Sequence, residues 1–151
     1  MTLDSLLPVM IVEDSDDDYE ATECALLDSG MLANPLLRFE DGESALGYLL
    51  REGPYADPVN SPRPAVILLD LNMPGGGGLL ALSRIKSNRH LVPIPVVVLT
   101  TSDAACDVDS CYRAGANTYI TKPVDMGGFV RAIRQLSDYW LNLAILPGEK
   151  A

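Results

Sequence analysis

The sequence is poor in histidine, with His90 alone, and its cysteines, Cys24, Cys106 and Cys111, stand far apart without C-x-x-C spacing. That set makes a poor zinc site and no disulfide framework, and it fits small core or surface thiols in a reducing compartment. Basic side chains are also scarce. Eleven lysines and arginines face 21 acidic residues, for a formal charge of −10. A surface of that sign repels nucleic-acid backbone and anionic lipid, which argues against direct DNA binding. No apolar run approaches the ~18–20 residues of a membrane span. Residues 1–8 carry no basic stretch before their leucines, so they do not read as a signal peptide. The expected compartment is the cytoplasm.

What is present describes one domain. A chain of 151 residues can bury roughly two-thirds of its unfolded surface, enough for a core without staples. Short apolar runs recur at 9–12, 36–39, 66–69, 96–99 and 118–120. The third and fourth are apolar at every position, as expected of parallel strands covered on both faces. Helical patterns fall between them at 18–29, 43–52, 79–88, 104–114 and 125–140. Ala21, Cys24 and Ala25 share an i, i+3, i+4 spacing that places the Cys24 thiol inward. Met126, Phe129, Val130 and Ile133 extend such a stripe to i+7. Gly30 and Gly115 stand at C-cap positions, and Gly53-Pro54 closes the second helix.

The string is (βα)5, which implies a doubly wound, five-stranded parallel sheet with helices on both faces. Residues 53–64, with Pro54, Pro58, Pro62 and Pro64, read as a loop too stiff and polar for an element. Residues 1–140 form the domain. Residues 141–151 are an extension whose first part, with Leu141, Leu143, Ile145 and Leu146, is apolar. Such a patch ordinarily marks a protein contact, and a two-fold homodimer through the last helix, this tail and the strand 5 edge is expected.

In open parallel sheets, ligands collect at the carboxyl ends of the strands. Glu13-Asp14 follows the first strand, Asp70 the third, Thr100-Thr101 the fourth, and Lys122-Pro123 the fifth. Three carboxylates on one edge repel unless a cation intervenes, and hard oxygen ligands in an open cluster suit Mg²⁺. A hydroxyl and a lysine on neighbouring strands would serve the same anion. Together they describe a site for a phosphoryl group carried on an aspartate. A single Asp after a strand is ordinarily a turn or a cap. Five such groups at the ends of four strands are not explained that way.

These residues resemble a known family, the receiver domains of two-component response regulators. The resemblance rests on Val9-Met10-Ile11-Val12-Glu13-Asp14, on Ile67 through Asp70 to Asn72-Met73-Pro74 with Gly78 behind, on Val98-Leu99-Thr100, and on Gly115-Ala116-Asn117 through Tyr119 to Lys122-Pro123. It covers about residues 8–140 and implies the flavodoxin-like strand order 2-1-3-4-5. It further implies that Asp70 accepts a phosphoryl group from a histidine kinase or phosphotransfer protein. Mg²⁺ would be held by Glu13, Asp14, Asp70 and the Asn72 carbonyl, and Lys122 would pair with the phosphoryl oxygens. Thr100 and Tyr119 would act as the switch. Catalysis would be confined to the protein's own aspartyl phosphorylation and dephosphorylation. The loop Gly53-Pro54-Tyr55-Ala56, the lead-in Pro93-Ile94-Pro95 and the run Lys122-Pro123-Val124-Asp125 look like single-domain regulators that work with bacterial phytochromes. Two departures stand out: Thr101 where a smaller residue is common, and four glycines at 75–78.

Rival readings fit less well. A P-loop needs Lys-Ser/Thr after its glycines, and none follows here. Glu13-Asp14 would repel a flavin phosphate. An aspartate-nucleophile phosphatase would want an acid where Asn72 stands. A non-phosphorylated interaction module, or a phosphate sink in a relay, is the remaining alternative. The chain ends too soon for a DNA-binding or enzymatic output domain, so output through protein contact is expected.

Overall fold

The computed structural model describes residues 7–28, 34–73, 77–101 and 104–143. Five parallel strands, β1 (Val9–Val12), β2 (Leu36–Phe39), β3 (Val66–Asp70), β4 (Val96–Thr100) and β5 (Thr118–Thr121), form one sheet in the order β2-β1-β3-β4-β5. The helices are α1 (Asp16–Asp28), α2 (Gly42–Leu49), α3 (Gly77–Ser87), α4 (Ala105–Arg113) and α5 (Met126–Ser137). The expected doubly wound α/β sheet and its 2-1-3-4-5 order are both present.

The sheet divides the core in two, because successive side chains on a strand point to opposite faces. Met10, Val12, Ile67, Leu69, Val96 and Val98 pack with Ala45, Leu46 and Leu49 of α2, Ala81, Leu82 and Ile85 of α3 and Cys111 of α4. Val9, Ile11, Val66, Leu68, Val97 and Leu99 pack with Ala25 and Leu26 of α1 and Phe129, Ile133 and Leu136 of α5. Every residue of β1, β3 and β4 is buried, which accounts for their unbroken apolar runs. Each fully buried aliphatic side chain contributes roughly 1.5–3 kcal/mol.

Local chemistry sets the ends of the elements. Ser15 caps α1: its hydroxyl accepts the Asp18 N–H at 3.2 Å, and its carbonyl accepts the Tyr19 N–H at 2.9 Å. The helix therefore starts at Asp16, two residues before the apolar pattern suggests. Asp41 caps α2 through the Ser44 N–H at 2.7 Å. At the end of α4, Gly115 has φ +107°. There the Ala116 N–H bonds to the Cys111 carbonyl and the Gly115 N–H to that of Tyr112, a Schellman arrangement. The capping expected of Gly115 is thus observed, while Gly30 lies outside the described residues.

Two expectations need correction. Cys24 is exposed, not inward. The buried stripe of α1 is Thr22, Ala25 and Leu26, and Cys24 is turned about 100° from Ala25 around the helix. The proline-rich segment also holds an element, a 3-10 turn over Gly53–Tyr55. Aromatic packing organises it: Tyr48 lies between Phe39 and Tyr55, with centroids 5.4 and 5.1 Å away. The Tyr48 hydroxyl donates to the Pro62 carbonyl at 2.6 Å. Beyond α5 the chain continues as a π-helical turn over Asp138–Leu143.

Candidate functional site

Register brings the candidate residues together. Val12 pairs with Leu69, Asp70 with Leu99 and Thr100 with Thr121. Glu13, Asp70, Thr100 and Lys122 therefore leave the sheet side by side along its carboxyl edge. Glu13 and Asp70 are buried, Asp14 is exposed, and Thr100 is fully enclosed. Ligand oxygens of Glu13, Asp14 and Asp70 lie within 4.8 Å of one another. Three oxygen donors this close, one of them open to solvent, fit a small hard cation that keeps part of its water shell.

Lys122 reaches into this cluster, its side chain only 8% exposed. Its Nζ donates to Glu13 Oε1 at 2.7 Å and Asp18 Oδ2 at 2.8 Å, and it stands 3.8 Å from Asp70 Oδ1. Its main-chain N–H donates to the Thr100 carbonyl at 2.6 Å, fixing where β5 releases the side chain. Burial pushes the Lys122 pKa down, but the bonds to Asp18 and Glu13 and the charge of Asp70 outweigh burial and raise it. Burial raises Glu13 to about 7, and Asp70 pushes in the same direction, only partly offset by Lys122. In the metal-free site the carboxylates are in conflict, as their spacing in the sequence implies.

Asp70 is oriented by its own loop. The Asn72 N–H donates to Asp70 Oδ1 at 3.0 Å, and the Asn72 amide donates to the Thr101 hydroxyl at 2.7 Å. Thr101 is thus a fastener between the loops after β3 and β4, which gives this departure a role. Gly78 allows the start of α3 to lie against the end of β3, while Pro74, Gly75 and Gly76 lie outside the described residues. Tyr119 is half-buried against the core, and its N–H donates to the Tyr112 hydroxyl at 3.1 Å. Beside Asp14, a cavity of about 440 Å³ opens between α2 and α3, lined by Glu43, Met73 and Arg84 among others.

Two residues at the site were not anticipated from sequence. Asp18 is the second partner of Lys122. Arg38 of β2 donates through Nε and Nη2 to the Glu13 carbonyl at 3.3 and 3.2 Å. Arg38 also pairs with Asp16 at 2.7 Å and lies 4.6 Å over the Tyr19 ring. The signal for Asp18 is its place four residues after Asp14, facing the strand ends from the first turn of α1. No sequence signal marks Arg38.

The response regulator receiver domain family matches residues 9–134, and the chain belongs to this family. It is similar to the response regulator Rcp1 of Synechocystis sp., 37% identical over 139 residues that cover 92% of each chain. Its structure is similar to that of the phosphorylated cyanobacterial phytochrome response regulator RcpA. There the TM-score is 0.88 at 36% identity, covering 95% of this chain and 99% of that one. The Mn²⁺-bound form of Rcp1 gives 0.86 at 36% identity, covering 94% and 99%. The bacteriophytochrome response regulator RtBRR gives 0.72 at 41% identity, covering 96% and 84%. Among the described residues, no helix is long and apolar enough to cross a membrane.

Proposed function

We propose that Asp70 accepts a phosphoryl group from a phosphohistidine of a partner kinase or phosphotransfer protein, and that the loaded domain signals through protein contact. The observation that carries this reading is a buried carboxylate at a strand end, oriented by the Asn72 N–H and faced at 3.8 Å by the Lys122 ammonium. A carboxylate oxygen of Asp70 attacks phosphorus, and the P–N bond of the donor breaks. The bonding electrons return to the imidazole nitrogen, and Asp70 is left as an acyl phosphate. Glu13, Asp14, Asp70 and the Asn72 carbonyl are the ligands proposed for Mg²⁺. Bound there, the ion would neutralise charge on the transferring oxygens. Lys122 supplies a second positive charge, and the Thr100 hydroxyl a hydrogen bond. Tyr119 reports the change by moving inward behind Thr100. Apart from this self-phosphorylation and its reversal, the domain has no catalytic task.

The partner we propose is a phytochrome-type histidine kinase in the cytoplasm. Support comes from the phytochrome regulators at 36% and 41% identity. A homodimer through α5 and the segment after it is part of the same proposal. The test is labelling by a phosphorylated phytochrome kinase or by acetyl phosphate with Mg²⁺. Asp70→Asn should lose all label while keeping its fold. Retained Mg²⁺-dependent label on that variant, mapped to no neighbouring carboxylate, refutes the assignment.

A further inference from the structure

Asp18 has no part in the chemistry described above, yet it grips the lysine that does. Its Oδ2 lies 2.8 Å from Lys122 Nζ, nearly as close as Glu13 Oε1 at 2.7 Å, whereas Asp70 Oδ1 stands at 3.8 Å. An ammonium has three donors. Two of them serve these carboxylates, so the nitrogen is held beyond hydrogen-bond reach of Asp70. The backbone of Asp18 is fixed as well. Ser15 accepts its N–H, and the Thr22 hydroxyl donates to its carbonyl at 2.8 Å. Asp18 is thus anchored on the first turn of α1 by bonds that do not involve Lys122.

The two anchors differ in one respect. Glu13 belongs to the acidic cluster, so its oxygens would be shared between Lys122 and a cation held there. Asp18 is outside that cluster, so its bond to Lys122 would face no such competition. We propose that Asp18 is a positioning residue that restrains Lys122, competing with the phosphoryl group for the ammonium and thereby setting the rate at which Asp70 is loaded. The inference rests on the reading of Asp70 as phosphoacceptor and Lys122 as its counter-charge. For phosphoryl oxygens to gain a charge-assisted bond from Lys122, the lysine must leave Asp18 or share itself with it. Asparagine at 18 keeps the shape and a weaker hydrogen bond but removes the competing charge.

The experiment uses the full chain as wild type, Asp18→Asn, Asp18→Glu, Lys122→Ala and the double variant Asp18→Asn with Lys122→Ala. Initial rates of Asp70 phosphorylation by acetyl phosphate are measured at saturating Mg²⁺, with Mg²⁺ affinity measured beside them by calorimetry. Asp18→Asn should load roughly two- to fivefold faster, the scale of a half-exposed charge pair. Its Mg²⁺ affinity should stay within roughly twofold of wild type, since Asp18 is not a ligand. Asp18→Glu should return the rate toward wild type. In the Lys122→Ala background the gain should vanish. A rate unchanged or lowered by Asp18→Asn, or an equal gain without Lys122, overturns the proposal. Should Asp18→Asn lose its cooperative melt, Asp18→Ser carries the same comparison. Failure of the underlying reading shows separately. Wild type would then take no phosphoryl group on Asp70, or Lys122→Ala would load as fast as wild type, and both readings would fall together.

Discussion

Gly78 and Asp70 meet backbone to backbone: a β-carbon on Gly78 would lie 2.6 Å from the Asp70 carbonyl oxygen and 2.8 Å from the Leu71 α-carbon. The start of α3 is thereby pressed against the residues that carry the candidate phosphoacceptor. Real β-carbons do not approach main-chain atoms so closely, and neither backbone is the free end of a flexible side chain.

Gly78→Ala should accordingly lower stability by roughly 1–3 kcal/mol, the cost of forcing an extra methyl into a filled site. Gly47 is the control. It too lies inside a helix, but a β-carbon there would meet nothing within 4 Å. Gly47→Ala should stabilise by roughly 0.5–1 kcal/mol. Urea denaturation of both variants checks the pair. Equal and favourable effects would show that α3 does not lie where the contact requires.

The acidic cluster makes a second prediction about charge. A cation that binds the native state alone adds RT ln(1 + [L]/Kd), about 2.7 kcal/mol at a hundred times Kd. Millimolar Mg²⁺ should therefore raise the melting temperature of wild type. Without metal, Asp70→Asn should be more stable than wild type, because Asp70 is one of the groups that burden Glu13. Asp14→Asn should do the same more weakly, since Asp14 is exposed to water. Indifference of wild type to Mg²⁺ would count against the cluster as a cation site.

Glu13 gives the cluster a pH signature. Burial and Asp70 raise its pKa from 4.5 to about 7 in the folded chain, so the folded state holds this proton more tightly than the unfolded state does. Stability from that proton is complete below the unfolded value and is lost as pH rises through the folded one. Metal-free protein should thus lose stability between about pH 5 and 7.5, and saturating Mg²⁺ should flatten the curve by taking the proton's place. Thermal melts across that range with and without Mg²⁺ make the comparison. Parallel curves would remove Glu13 from the site.

The sheet was legible because its strands are buried on both faces. The runs at 66–69 and 96–99 have no solvent side, so nothing but apolar residues serves there. The site was legible for a related reason: in-register parallel strands turn short sequence motifs into neighbours, and Glu13, Asp14, Asp70, Thr100 and Lys122 all stand at such ends. What escaped was side-chain reach. Asp18 and Arg38 join the site across 104 and 25 residues of sequence through contacts that no periodicity encodes. Cys24 misled because alanine and cysteine mark a helix face weakly, and the buried stripe includes Thr22, a polar residue whose hydroxyl is satisfied by the Asp18 carbonyl.

The last prediction concerns association. Trp140 packs against the α1–α5 side of the core, and Tyr139 beside it is half exposed, the two rings meeting edge to face at 5.1 Å. The chain continues in a helical path to Leu143. The side chains of Leu141 and Leu143, and the whole of Ile145 and Leu146, lie outside what the structure describes, but their apolar character does not depend on it. Burying four such side chains is worth roughly 1.5–3 kcal/mol each before the costs of association. The edge of β5 is a poorer contact than it looked, because the Tyr112 hydroxyl already takes the Tyr119 N–H. The proposed contact is accordingly placed on α5 and the segment after it. Sedimentation should find the full chain dimeric at concentrations on the order of tens of micromolar, ordinary for a modest interface. A version truncated after Trp140 should sediment as a monomer with its fold intact. If both chains sediment as monomers, or both as dimers, the tail does not hold two copies together.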